Sequence, residues 1–389
     1  MFLIDGPYVS DYLKQTLTEL KIPVIQTEQS EAYLAGLDIH FISEAAARKI
    51  LKANPQEQIY TNSENALEWI YHHLADTDLA QTIQRVKDKI LFRQTLVDLH
   101  PDYFFKGVRL QELHKIDPAT LPFPLILKPA VGFFSLGVQS IKNEAAWNLH
   151  LASLDQTIKA SEGLYPEGVL DHSAFIIEAV LEGDEFAIDC TFDAQGQVII
   201  LNMMKHLFAS ESDVNDRVYI TSAKIMDQYL PPIQTYLDRL GARFKLRNFP
   251  AHIEIRIKAN GEITPIEINP LRFGGWCSTP DLAQYAWDMN IYDCLVNKTW
   301  PDWSIKTQHN RETVYALVVL NNSTGTVGSK IKSFNYESLL EGVRTPFELR
   351  RTDFNAYPVF GFLMCSVPED DFSELTTLLH SDLKAFITV

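Results

Sequence analysis

Helices interleaved with strands over the first ~85 residues, and antiparallel strand pairs beyond them, predict a chain of mixed class: an α/β unit followed by α+β layers. In the first unit, "FLID" (2–5), "IPVIQ" (22–26), "DIHFI" (38–42) and "QIYTN" (58–62) read as strands. Between and after them "SDYLKQTLTEL" (10–20), "SEAAARKILKA" (43–53) and "SENALEWIYHHLA" (63–75) read as helices, so residues 1–85 form a small parallel α/β domain. Residues 86–116 form a helical linker region, opened by one helix over "DLAQTIQRVKDKILFRQTLVDL" (78–99). The Pro-rich "DPATLPFP" (117–124) marks a boundary. A unit over 117–180 carries strand "LILKPA" (125–130), the turn-rich loop "VGFFSLGV" (131–138) and strand "AFIIEAV" (174–180). A unit over 181–305 follows, with "EFAIDCTF" and "QVIILNMMK" paired around "DAQGQ" (193–197) and a hairpin at 252–269. Residues 306–389 read as an α+β extension, with strands at 313–320 and 358–367 and a final helix over 371–386.

At 389 residues, with 46% hydrophobic and 22% charged residues, the chain can bury a substantial core. The net charge of −16 argues against a duplex nucleic acid partner, because neutralising its backbone needs a basic surface. A small anionic ligand needs only a local cluster of Lys and Arg. No apolar run approaches the ~20 residues that span a bilayer, so no membrane partner is expected. The start "MFLIDGPYVSDYLKQ" lacks the basic region of a signal peptide. Four scattered cysteines indicate neither a disulfide framework nor a zinc site, and a reducing cytoplasm is the expected compartment.

The hairpin "HIEIRIKANGEITPIEIN" poses a physical problem. If Asn260 and Gly261 form a two-residue turn with both residues at positive φ, Glu254 faces Glu267 and His252 faces Asn269. Period-two alternation then puts these four on one face, and Ile253, Ile255, Ile266 and Ile268 on the core face. Two carboxylates roughly 5 Å apart repel by about 3 kcal/mol at an effective dielectric near 20. The pair is tolerable if one carboxyl is protonated, if cations lie nearby, or if it holds a hard cation such as magnesium. Otherwise both side chains splay into water.

Two further stretches carry chemistry. In "FPLILKPAVGFFSLGV", Lys128 leaves an apolar strand just before a Gly and Ser loop, an arrangement able to neutralise phosphate while loop amides cap its oxygens. In "FIIEAVLEGDEFAIDC", backbone between Glu178 and Leu181 could read an adenine edge, with Glu185 accepting from ribose hydroxyls; a solvated acidic hairpin fits the same letters.

In order, the chain presents Lys89 in "KDKILFRQTL", Lys128 with its loop, "EAVLEGDE", Glu254 and "EINPLRFGG" (267–275). This succession resembles the ATP-grasp superfamily over roughly residues 80–305, with the pattern K-P-x-x-G-x-x-S-x-G-V at Lys128 to Val138. The resemblance implies a Rossmann-like pre-ATP-grasp domain over 1–85, a lid subdomain over 117–180 and a metal-bearing subdomain over 181–305. It further implies that Lys89, Lys128 and Ser135 contact ATP phosphates and that Glu178, with the backbone at Ala179 and Leu181, holds adenine. Glu185 would take the ribose, and Glu254, Glu267 and Asn269 would bind Mg2+. Arg272 would steady an acyl phosphate or carboxylate, and Lys205 would reach the γ-phosphate. Arginine usually follows Asn-Pro directly in this family, whereas here Leu271 intervenes, and Phe133 and Phe134 stand in the loop where small residues are usual.

The implied activity is an ADP-forming ligation of a small-molecule carboxylate to an amine, through an acyl phosphate. The acidic stretch 209–217, with Arg217, hints at an amino acid as the amine. A homodimer is compatible with this reading. An ATP-dependent carboxylase of the same superfamily, of the biotin-carboxylase-like type, and a non-catalytic ATP-binding regulatory protein are the alternatives. The remaining candidates read as structural: His252 as a satisfied histidine or an outer partner of the pair, Cys277 as a buried thiol, and His72 and His73 as a solvated helix face. "NMMKH" (202–206) lies in a strand rather than the exposed turn of a biotinyl-lysine.

Overall fold

The structure is a computed structural model, and it describes residues 1–131, 139–161, 171–210 and 215–389. The N-terminal sheet is parallel, in the order β3-β2-β1-β4, from β1 (Phe2–Leu3), β2 (Val24–Gln26), β3 (Phe41–Ser43) and β4 (Tyr60–Thr61). Helices Asp11–Glu19, Glu44–Ala53 and Leu67–His73 lie where the sequence places them. A further helix, Glu28–Tyr33, fills the crossover from β2 to β3. The apolar pattern does not announce it, but Thr27 and Ser30 form a reciprocal capping box at its start.

The single helix expected over 78–99 is two, Asp78–Lys87 and Lys89–Thr95. Asp88 separates them: its backbone is extended (φ −73°, ψ 109°), and its carboxylate accepts from the amides of Ile90 and Leu91 as the second N-cap. Lys87 and Lys89, on either side of the break, are both buried, Lys87 paired with Glu64 and Lys89 with Glu267.

An antiparallel four-stranded sheet in the order β5-β8-β6-β7 is built from β5 (Phe105–Arg109), β6 (Leu125–Val131), β7 (Gln139–Ile141) and β8 (Asp171–Ala179). It packs on its own cluster, including Leu125, Leu127, Trp147, Phe175 and Ile177.

The largest layer is an eight-stranded sheet in the order β13-β12-β9-β10-β11-β14-β17-β16. Its strands are β9 (Asp184–Phe192), β10 (Val198–Leu207), β11 (Val218–Thr221), β12 (Phe249–Ile257), β13 (Ile263–Pro270), β14 (Thr313–Asn321), β16 (Thr345–Arg351) and β17 (Val359–Pro368). A small pair, β15 (Ser333–Phe334) and β18 (Ile387–Thr388), lies beside it. The final helix is shorter than expected, Ser373–His380. One face of the large sheet buries Phe186, Ile188, Ile253 and Ile255, and the long helix Ala223–Phe244 contributes Leu237, Leu240 and Phe244 to the same core. At the β13-β12-β9-β10 end the other face is polar, carrying Glu267, Glu254, His252, Asp189, Glu185 and His206.

Candidate active site

The polar face is assembled from alternate residues of four adjacent strands. His252, Glu254 and Arg256 of β12 lie in register with Asp189, Ala187 and Glu185 of β9, and Glu185 in turn faces His206 of β10. On the far side of β12, Glu254 stands opposite Glu267 and His252 opposite Asn269. The hairpin therefore delivers the expected pairing by a different route. Its turn spans three residues rather than two, between Lys258 and Glu262, and only Gly261 has positive φ (+85°). A bulge between Glu254 and Ile255 on one strand, opposite Pro265 to Glu267, restores the register. Pro265 has no amide to give the ladder, and the displaced Ile266 is half-buried rather than core.

The two carboxylates sit in opposite electrostatic settings. Burial, reinforced by Glu267, Glu185 and Asp216, pushes the Glu254 carboxyl well above the usual range. Burial would raise Glu267 as well, but Lys89, Lys87 and Lys128 outweigh it and hold Glu267 low. Lys89 Nζ lies 3.7 Å from Glu267 Oε2, and burial brings its own pKa down to about 8. Asn269 Nδ2 donates to Glu267 Oε1 at 3.0 Å, while Asn269 Oδ1 is buried with no hydrogen-bond partner. A buried orphan acceptor beside two opposed carboxylates is a hard oxygen donor set, and it fits Mg2+.

On the smaller sheet, Lys128 of β6 and Glu178 of β8 are ion-paired to each other, and Arg93 Nε donates to Glu178 Oε2 at 2.8 Å. Burial disfavours the Glu178 carboxylate, but Arg93 and Lys128 prevail and lower its pKa to about 2. Arg93 Nη1 also donates to the Pro265 carbonyl at 2.6 Å, tying this sheet to the bulge beside Glu267. At the strand end, the Ala179 N–H donates to Phe104 O at 3.0 Å and the Ala179 carbonyl accepts from Tyr103 Oη at 2.8 Å. Both backbone groups of Ala179 are thus already bonded within the protein, and Val180 and Leu181 form the free run after it, Val180 exposed and Leu181 half-buried. Ser135 and the rest of its loop, 132–138, lie outside the described residues.

Glu185 is held from two sides, by His206 Nδ1 at 2.9 Å and by Arg256 Nη2 at 2.7 Å. Glu185, His206 and Asp216 bring one ligand atom each within 4.8 Å of one another. Both nitrogens of His206 nevertheless face oxygen acceptors, Glu185 and the Asn215 carbonyl at 3.2 Å, and Arg256 occupies the other carboxylate oxygen. Glu185, His206 and Arg256 thus form a hydrogen-bonded wall, and Asp216 accepts from Tyr219 Oη at 2.6 Å. Lys205 does not join it. One residue from His206 in the same strand, it projects to the opposite face, where its Nζ meets Asp184 Oδ2 at 2.7 Å, and the expected reach to a γ-phosphate is lost to strand parity.

Burial disfavours the Arg272 guanidinium charge, but Glu64, with the nearby Glu267 and Glu254 adding to it, prevails and raises its pKa. The extra residue before it is absorbed by Leu271 in the left-handed region (φ +61°). His252 bridges Asp189 (Nδ1 to Oδ1, 2.7 Å) and Glu254 (Nε2 to Oε1, 3.7 Å), and so is an outer partner of the pair. Asp189, which sequence reasoning missed, also accepts from the Gly274 amide at 2.9 Å and from the Thr279 hydroxyl. Gly274 is required there, since a Cβ would lie 2.1 Å from Thr279 Oγ1. Glu64, Lys87 and Arg93 were missed too. Cys277 is buried with its thiol pushed up to about 11, hence inert, and all four cysteines are free. His73, at the end of helix Leu67–His73, lies 3.4 Å from Glu44 of helix Glu44–Ala53.

Residues 121–280 match the family model of the ATP-grasp domain. No curated protein matches the chain. Among solved structures, an L-amino acid ligase from Bacillus licheniformis is 16% identical with TM-score 0.69, covering 100% of this chain and 97% of that one. An N5-carboxyaminoimidazole synthase from Aspergillus clavatus, in complex with ADP and 5-aminoimidazole ribonucleotide, is 12% identical with TM-score 0.62 over 97% of each chain. The biotin carboxylase domain dimer of Hydrogenobacter thermophilus 2-oxoglutarate carboxylase, in complex with MgADP, ADP and bicarbonate, is 13% identical with TM-score 0.57 over 94% of this chain and 86% of that one. With the ordered motifs and the opposed carboxylates already in place, the match identifies residues 121–280 as an ATP-grasp domain, and the solved structures share the fold over nearly the whole chain.

Proposed function

We propose that this protein is an ATP-dependent, ADP-forming ligase that joins a small carboxylate to an amine, an amino acid being the amine that the acidic sequence 209–217 suggests. The observation that carries the reading is the pair Glu254 and Glu267 with the orphan Asn269 Oδ1, ringed by Lys89, Lys128 and Arg272. Glu254, Glu267 and Asn269 would hold Mg2+, which neutralises charge on the β- and γ-phosphates when bound. That one neighbour was solved with MgADP supports this donor set.

The chain's residues then do the positioning that phosphoryl transfer demands. Val180 and Leu181 offer backbone to adenine, with Glu178 behind them as the anchor of Lys128. Glu185 offers the ribose a carboxylate already oriented by His206 and Arg256. Lys89 and Lys128 neutralise phosphate oxygens, and Ser135 would add a loop hydroxyl. The substrate carboxylate oxygen attacks the γ-phosphorus, and the bond to the β-phosphate oxygen breaks, releasing ADP. Arg272 steadies the acyl phosphate. The amine nitrogen then attacks the acyl carbon, phosphate leaves with the C–O bonding pair, and the amine gives up a proton to solvent.

In this reading residues 117–180 act as a lid over the face built by 181–305. None of the described helices is long and apolar enough to cross a membrane, and we place the enzyme in the cytoplasm. The carboxylase neighbour is a domain dimer; a homodimer here is open to light scattering. The deciding experiment is a phosphate-release screen of acid and amine pairs with ATP and Mg2+. ADP release that requires an organic acid, with a new C–N product, is expected. Release triggered by bicarbonate alone would make the protein a carboxylase. Tight ATP binding with no turnover on any pair would make it a regulatory binder.

A further inference from the structure

We infer that Glu64, on the N-terminal α/β unit, is a positioning residue for Arg272, so that this unit orients a guanidinium beside the carboxylate pair. The inference rests on the proposal that Arg272 holds an anion. Glu64 and Arg272 are 208 positions apart, yet Arg272 Nε donates to Glu64 Oε2 at 2.8 Å. Nη1 donates to the carbonyl of Phe273 at 2.9 Å. A planar guanidinium held at two nitrogens cannot rotate, and Nη2 is left for a ligand. The side chains of Arg272 and Glu64 are 9% and 5% exposed, so water competes little for either bond.

The surrounding backbone serves the same end. Leu271, the residue that displaces Arg272 by one position, donates its amide to Pro250 O at 2.8 Å. Its carbonyl accepts from Thr61 N at 2.6 Å, at the end of β4 and three residues before Glu64. The segment that clamps the inserted residue therefore also supplies the carboxylate that turns the guanidinium. The other Glu64 oxygen forms an ion pair with Lys87, the last residue of the helix Asp78–Lys87. Burial would raise Glu64, but Lys87 and Arg272 hold it at about 2, so the carboxylate stays charged between its two cations.

Orthovanadate, as a stand-in for the transferred phosphoryl group, tests this in the full-length protein loaded with MgADP. Calorimetry should show vanadate affinity reduced by about tenfold or more in Arg272→Gln, and by a similar factor in Glu64→Gln, since both lose one oriented charge-assisted contact. The double variant should bind no more weakly than Arg272→Gln, and MgADP affinity should stay within about twofold throughout. Wild-type vanadate affinity in Glu64→Gln, losses that multiply in the double variant, or MgADP affinity falling in parallel would each overturn the inference. So would a wild-type protein that takes up MgADP but no vanadate. If Glu64→Gln fails to fold, Glu64→Asp, which keeps the charge and withdraws it by one methylene, should still weaken vanadate; unchanged affinity there refutes the role. Failure of the ligase reading shows separately, as absence of acid-dependent ADP release from wild type with the vanadate differences intact.

Discussion

Glu254 and Glu267 face each other across β12 and β13 with their pKa values driven apart, Glu254 up and Glu267 down. Two like charges share a site because three lysines surround one of them and the other is favoured in its neutral form. Replacing Glu267 with Gln removes the member that stays ionised. ADP release should fall by at least about a hundredfold, the scale of losing a group that acts on the transition state. Near-native circular dichroism is expected alongside it. A variant that turns over normally would contradict the donor set.

Lys128 is paired with Glu178, and Arg93 remains with that carboxylate when the lysine is removed. Lys128→Ala should therefore fold and bind ATP about ten- to a hundredfold more weakly, as expected for a lost charge-assisted phosphate contact. Calorimetry with ATP checks it.

Strand parity puts Lys205 on the wrong face, against Asp184. Lys205→Ala should leave ADP release within about twofold of wild type, and stability within ~0.5 kcal/mol, because an exposed ion pair contributes little. A large loss in kcat would return this lysine to the site.

Glu64 and Glu178 both have folded-state pKa values near 2, below their ordinary 4.5. For a depressed carboxylate the stabilisation is present above the unfolded value and lost as pH falls through the folded one. Each can contribute on the order of 3 kcal/mol, declining between about pH 5 and 2. Glu178→Gln should be less stable at pH 6 and show a shallower decline over that window, read from urea unfolding at stepped pH.

Two glycines separate conformational from steric cost. Nothing lies near the Cβ position of Gly261, so Gly261→Ala should cost about 1 kcal/mol, from its positive φ alone. Gly274→Ala drives a methyl into Thr279 and breaks the amide bond to Asp189, and should cost at least about 2 kcal/mol with loss of activity. Urea midpoints of the two variants give the comparison.

What the sequence disclosed follows the range of the interactions involved. The opposition of Glu254 and Glu267 was legible because a hairpin is local and side-chain parity is strict. The bulge beside it was not counted, although Pro265, which cannot feed the ladder, was a usable signal. The break at Asp88 was likewise readable in principle, as an N-cap residue inside a helical run. Asp189 and Glu64 carried no such mark. The partners of Asp189 lie 63 to 90 residues away and the arginine partner of Glu64 lies 208 away, and an acidic residue in a strand or after one looks like any other until the strands are ordered. Lys205 misled because its parity relative to Glu254 depends on strand order and on the bulge between Ile200 and Asn202.

The order of the large sheet has a practical consequence for anyone trimming this chain. β14, from the C-terminal stretch, hydrogen-bonds to β11, and β17 and β16 complete the edge beyond it. Expressing only the portion that carries the ATP-grasp match would strip β11 of a neighbour and bare a row of unpaired amides and carbonyls, an invitation to aggregate. Transplanting this polar face onto another scaffold means taking the final eighty or so residues with it.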